Sequence, residues 1–161
     1  STMSALVVGA SMALMERFSA SRYFEQARSH GATVASLFAA PMRMLLAQPE
    51  RPEDRENQLR LVIFAQNLTQ AQLSEWERRF GAPLCQIYGM TEVPLPMATP
   101  LDYSGREGSI GMPTLGYEAK VVDDGGRELP PGRPGQLVVR GEPLSTLTGR
   151  SCIQSSKPKL R

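Results

Sequence analysis

The chain has 161 residues, 41% hydrophobic and 21% charged, with a net charge of +2. That is enough for one domain with a real core, and too weakly basic to argue for a nucleic-acid partner. No long uncharged apolar run predicts a membrane span, and two distant cysteines, Cys85 and Cys152, with His30 as the single histidine, argue against a zinc site.

The opening stretch STMSALVVGASMALMERF lacks a basic leader, and Glu16 and Arg17 end its apolar run. It reads as buried structure and not as a signal peptide: the end of a helix, then a strand, with Gly9 between them. SASRYFEQARSHG reads as a helix, with Ser19 or Ser21 as its cap and Gly31 as the left-handed residue beyond its end. His30 then sits where a cation suits the helix dipole, a capping or surface position and not a catalytic one. ATVASLFAA predicts a buried strand, and Pro41 suits the first turn of the helix PMRMLLAQ. PERPEDREN, with two prolines, reads as a loop.

The clearest unit follows. RLVIF (60–64) predicts a short buried strand. Thr69 and Gln72 fit a reciprocal capping box, and Leu73, Trp76 and Phe80 recur on one helical face that Gly81 ends. PLCQIY (83–88) predicts a second strand, so strand, helix and strand form a βαβ crossover on a parallel sheet. After Gly105 the texture changes. YEAKVVD places Tyr117, Ala119 and Val121 on one face; Asp123 and Asp124 with two glycines read as a hairpin turn, although they resemble a metal pair; QLVVR is another strand. The expected class is α/β: βαβ units on a parallel or mixed sheet with flanking helices, followed by a small antiparallel part. The expected divisions are 1–104, 105–143 and a tail over 144–161 that lacks periodicity and is expected to be disordered.

Chemistry concentrates in QIYGMTE (86–92). Tyr88 to Glu92 falls at the carboxyl end of a predicted parallel strand, where open α/β sheets bind ligands. Tyr88 offers a flat face for a base, Gly89 a backbone free of Cβ, Thr91 a hydroxyl donor and Glu92 a hard oxygen for Mg²⁺. Taken alone, the five residues read better as a turn with a core tyrosine, since short motifs recur by chance.

YGMTE, then GSIGMP, then DDGGRELPPGRPGQLVVRGE resemble, in order and separation, the AMP-forming acyl-CoA synthetases of the adenylate-forming superfamily. ALVVGASMALMERFSASRYFEQARSHGATVASLFAAPMRMLLAQP and VIFAQNLTQAQ are similar in detail to the crotonobetaine/carnitine-CoA ligase branch, and the resemblance spans roughly residues 4–143. It implies a ligase that uses ATP, Mg²⁺ and coenzyme A to activate a carboxylate, with small-molecule partners; a reducing cytoplasm is the simpler assumption for the two distant cysteines. It implies that Tyr88 stacks on adenine, Thr91 contacts phosphate and Glu92 holds Mg²⁺; Thr91 and Glu92 are thereby the catalytic candidates. It also makes Ala65, Gln66, Gly89 and Met90 nucleotide-binding, and Leu37, Phe38 and Pro41 an acyl-pocket wall.

There are departures. Ala65 and Gln66 stand where the family often has glycines, and Gln136 replaces a glutamate to which no catalytic role is given. The family's glycine-rich phosphate loop ending in lysine, its TGD segment and its lysine-bearing C-terminal domain have no counterpart in these residues. The end, LSTLTGRSCIQSSKPKLR, departs from the family; a shifted frame, read-through or a degenerate copy would each explain it. The expectation is a central fragment, inactive alone. The alternatives are a fragment of an amino-acid or aryl-acid adenylation domain, and a non-catalytic binding remnant of the fold.

Overall fold

The computed structural model describes residues 2–100, 108–141 and 153–154. Contacts divide the chain into two compact units, Ser1–Cys85 and Gln86–Arg161. Helices α1 (Thr2–Val7), α2 (Tyr23–Ser29), α3 (Ala39–Leu46) and α4 (Gln70–Phe80) accompany strands β1 (Val34–Phe38), β2 (Leu61–Ala65) and β3 (Leu84–Tyr88). Strands β4 (Met97–Ala98), β5 (Met112–Pro113), β6 (Tyr117–Val122), β7 (Gln136–Gly141) and β8 (Ile153–Gln154) follow. The strand orders are β1-β2-β3-β4-β5 in a five-stranded sheet and β6-β7-β8 in a three-stranded one. β1 and β2 are parallel, whereas β3–β4, β4–β5, β6–β7 and β7–β8 are antiparallel. The mixed α/β class expected from the sequence is therefore the class observed.

In the first unit, α4 shows most directly how sequence specifies structure. Thr69 Oγ1 accepts from the Gln72 N–H, and Gln72 Oε1 accepts from the Thr69 N–H, so two otherwise orphaned donors are satisfied. Gly81 ends the helix at φ 62°, a conformation open to a residue without Cβ. The stripe of Leu73, Trp76 and Phe80 faces Phe24, Leu37, Met42, Leu45, Val62 and Phe64 in one buried cluster. Burying each large side chain contributes about 1.5–3 kcal/mol. The Phe24 and Phe80 rings stack at 4.5 Å, and the buried indole Nε1–H of Trp76 donates to the Ala82 carbonyl. Beside this cluster the Val62 N–H donates to the Pro83 carbonyl, fastening β2 to the entry of β3.

Several expectations give way here. Residues 8–18 form no strand, and Leu6, Val7, Val8 and Leu14 are exposed and not buried. Propensity favoured order, but no described element covers these side chains. Ser19 and Ser21 do not cap α2; they hydrogen-bond to each other, and the N-cap residue is Arg22, with no side-chain cap bond. His30 is the C-cap residue of that helix, with Gly31 beyond it at φ 58°. PERPEDREN contains a 3-10 turn, Pro52–Arg55. β1 is not fully buried. Leu37 points into the core, while Val34, Ser36 and Phe38 are exposed on the opposite face, in register with half-buried Leu61, Ile63 and Ala65. Alternation puts all six on one side of the sheet, and no described helix of the unit seals it.

In the second unit Met97, Ile110, Leu137 and Val139 form a smaller core against which Tyr88, Tyr117 and Ala119 pack. Exposed cross-strand pairs, Arg140–Glu118 at 2.6 Å and Lys120–Glu128 at 2.6 Å, decorate the outer face. Asp123 Oδ1 accepts the N–H groups of Gly125 and Arg127, so DDGG is a turn built on an aspartate. The tail expected to be unstructured over 144–161 lies outside the described residues, apart from Ile153 and Gln154, which pair with Val139 and Val138.

Candidate functional site

At the carboxyl ends of β1 and β2, Phe38 stands in register with Ala65. Parallel pairing thus brings the acyl-wall candidates and the adenine-side candidates of the first unit to one sheet end. Leu37 is 7% exposed and committed to the core, whereas Phe38 is 60% exposed. Pro41 is half-buried in the first turn of α3. Beyond Ala65 the chain turns sharply, with Gln66 at φ 75°. This is the left-handed region that disfavours a side chain, which explains in physical terms why glycine suits the position. Arg43 of α3 donates to the Asn67 carbonyl at 2.7 Å and pins the turn.

In the second unit the QIYGMTE stretch ends β3 and opens the connection to β4. Gln86 and Thr99 lock its base: the Gln86 N–H donates to Thr99 Oγ1 at 2.8 Å, and the Thr99 N–H to the Gln86 carbonyl at 2.9 Å. Tyr88 stands opposite Met97 and is half-buried. Met90 and Val93 then exchange both backbone hydrogen bonds, N–H to carbonyl at 3.1 and 3.2 Å. That reciprocal pair closes a tight turn with Thr91 and Glu92 at its exposed tip. The chain itself dictates glycine at 89, because a Cβ there would lie 2.6 Å from the Leu95 nitrogen and 3.1 Å from the Val93 carbonyl oxygen. A turn this closed presents a hydroxyl and a carboxylate side by side on fixed backbone.

Contacts that sequence reasoning missed hold the far side of this turn. Thr114 Oγ1–H donates to the Leu95 carbonyl at 2.5 Å, Tyr117 O–H to the Pro94 carbonyl at 3.0 Å, and the Thr114 N–H to the Pro96 carbonyl at 3.0 Å. Leu95 itself sits at φ 56°. No local pattern announces these partners, which lie some twenty residues from the motif.

A cleft of about 290 Å³ in the first unit is lined by Phe24, Arg28, Leu45, Asp54, Arg79 and Phe80 among others, and by none of the candidate residues. Its buried cation is already occupied: Arg79 donates to Asp54 and to the carbonyls of Leu46, Gln48 and Pro49. It is structural. The neighbouring Arg78 hydrogen-bonds Glu75 and Glu50 and holds both carboxyls below their ordinary range. Among the described residues no cluster of three or more His, Cys, Asp or Glu could hold a metal, and no helix is long and apolar enough to cross a membrane. Cys85 is buried.

Known proteins resemble this chain in sequence and in fold. The model of a family described as AMP-binding enzyme matches residues 1–147. Crotonobetaine/carnitine–CoA ligases of Salmonella heidelberg and Salmonella typhimurium are each 36% identical over 148 residues, covering 90% of this chain and 28% of theirs. The chain thus spans little more than a quarter of the length of these curated relatives. A benzoate CoA ligase from Burkholderia xenovorans superposes with a TM-score of 0.76 at 26% identity, over 86% of this chain and 29% of that one. O-succinylbenzoate coenzyme A synthetase from Bacillus subtilis, in complex with ATP and magnesium ion, gives 0.74 at 26% identity, over 86% of this chain and 29% of that one.

Proposed function

Because the chain belongs to the AMP-binding enzyme family and resembles coenzyme A ligases in sequence and fold, we propose that it is a central segment of an ATP-dependent carboxylic acid–CoA ligase. In the proposed reaction a carboxylate oxygen attacks the α-phosphate of ATP and pyrophosphate leaves, giving an acyl-adenylate. The thiol of coenzyme A then attacks the acyl carbon and AMP leaves.

The residue roles proposed are those the family likeness implies, and the geometry of each turn supports them. Tyr88, half-buried at the end of β3, supplies an aromatic face for adenine. Gly89 and Met90 supply backbone beside it; Ala65 and Gln66, in a left-handed turn of the first unit, are proposed as nucleotide-binding from the family likeness alone. Thr91 donates its hydroxyl to a phosphate oxygen. Glu92 would hold Mg²⁺. One exposed carboxylate with no other metal-ligating cluster among the described residues suits an ion that takes one or two carboxylates, substrate phosphates and water. When bound, the metal neutralises charge on the phosphates. Phe38 and Pro41 form a wall of the acid's pocket, with Leu37 supporting them from the core. The acid proposed is short and carnitine-like, after the relatives at 36% identity; the benzoate ligase likeness favours an aryl acid as the second reading.

The observation that carries the proposal is the closed Met90–Val93 turn, which presents Thr91 and Glu92 together at its exposed tip. These 161 residues contain no glycine-rich loop ending in lysine to cradle the β- and γ-phosphates, so the chain by itself is proposed to form no acyl-adenylate. Loss of a single donor from such a site costs about 10²–10³ in rate. The test is carboxylate-dependent exchange of labelled pyrophosphate into ATP with a panel of short and aryl acids. Exchange above background by the isolated chain refutes the inactivity. In a ligase carrying this segment, Glu92→Gln is expected to cut exchange sharply and weaken its Mg²⁺ dependence; full activity refutes the assignment of Glu92.

A further inference from the structure

We propose that Thr114 and Tyr117 are positioning residues for the Thr91–Glu92 tip, acting through residues 94–96 as a strap; the inference rests on the nucleotide reading of that tip given above. The strap runs across the place where a Cβ of Gly89 would lie, with the Leu95 nitrogen 2.6 Å from that point and Pro96 fully buried. Its path requires a left-handed backbone at Leu95, φ 56°, in a residue that pays for that conformation with strain. Such strain persists only where surroundings over-determine the backbone, and three successive carbonyls show what does so. Those of Pro94, Leu95 and Pro96 accept, in order, the Tyr117 hydroxyl, the Thr114 hydroxyl and the Thr114 N–H.

The donors are themselves fixed. Tyr117 opens β6 in register with Gly141, and its ring lies where a Cβ of Gly141 would be, 2.3 Å from Cδ1. The same ring packs on the core of Met97, Ile110, Leu137 and Val139. The hydroxyl is thereby aimed by a strand pair and not by a loop. With the strap held, the Met90–Val93 pair stays closed and the Glu92 carboxylate keeps one position, the condition for a preorganised metal ligand.

The experiment uses the full chain and amide hydrogen exchange by NMR. Tyr117→Phe keeps the ring in the core and removes only the hydroxyl; Thr114→Val keeps the shape and the backbone bond. In each, exchange at Met90 and Val93 is expected to accelerate about three- to tenfold, while ladder amides of β6 and β7 hold their rates. Thr114→Ser, which restores the hydroxyl, is expected to return the wild-type rates. Unchanged rates at Met90 and Val93, or equal acceleration along β6 and β7, overturns the proposal. A parallel titration with ATP and Mg²⁺ follows the Thr91 and Glu92 resonances. No response in the wild-type chain counts against the nucleotide reading, while the exchange rates still decide the strap. A response that weakens several-fold in Tyr117→Phe supports both.

Discussion

Arg79 Nε donates to Asp54 Oδ2 at 2.5 Å, with the two side chains only 4% and 11% exposed. The guanidinium also closes on the carbonyls of Leu46, Gln48 and Pro49, so one residue of α4 satisfies the backbone of the α3 exit and anchors the 3-10 turn. Replacing one partner of a buried pair leaves the other charge and its carbonyls unpaired. Arg79→Met is therefore expected to lower the stability of the first unit by about 3–5 kcal/mol, and Asp54→Asn by about 1–3 kcal/mol. Urea denaturation followed by Trp76 fluorescence measures both. A loss below about 1 kcal/mol for Arg79→Met would show the clamp to be ornamental.

Gly89→Ala places a methyl group against the Leu95 nitrogen and the Val93 carbonyl, both backbone atoms that no side-chain rotation can clear. A loss of about 1–3 kcal/mol is expected, with altered amide shifts from 89 to 96. Gly125→Ala, where the nearest atom is a side-chain oxygen of Asp123 at 3.3 Å, serves as the comparison and should cost much less. Equal costs would mean that position 89 is not special.

At Gln66 the strain lies in the dihedral and not in contacts. Gln66→Gly is expected to be more stable than Gln66→Ala by about 1 kcal/mol, because only glycine occupies φ 75° without a Cβ penalty. Paired thermal melts of the two variants decide it; alanine equal to or better than glycine contradicts the left-handed turn.

Burial pushes the Tyr23 phenol up from 10.0 to about 12. The folded chain therefore holds this proton more tightly than the unfolded one. The associated stability is fully present below pH 10 and is lost as pH rises through about 12. The full effect is about 3 kcal/mol. Tyr23→Phe is expected to flatten the alkaline fall of stability and to remove a tyrosinate transition near 12 from an ultraviolet titration. A Tyr23 that titrates at 10.0 would contradict its burial.

How far the sequence could be read depended on the range of the interactions. Helix α4 was legible throughout, since the capping box, the apolar stripe and Gly81 all act within a few residues of one another. The candidate turn was legible as a motif because its chemistry is contiguous from Tyr88 to Glu92. The faces of β1 were not, since the exposure of Phe38 depends on what lies over the sheet and alternation cannot supply that. The α2 cap failed because Ser19 and Ser21 found each other first. Thr114 and Tyr117 were invisible for the plainest reason: a hydroxyl reaching a carbonyl across some twenty residues leaves no periodic trace.

The sheet face formed by Val34, Phe38, Leu61 and Ile63 also governs how the chain behaves in a tube. Oily surface of that kind meets water at an interfacial cost that rises with every molecule added. Solubility, not melting, then sets the upper concentration for each measurement above. Light scattering against dilution becomes the first experiment to perform.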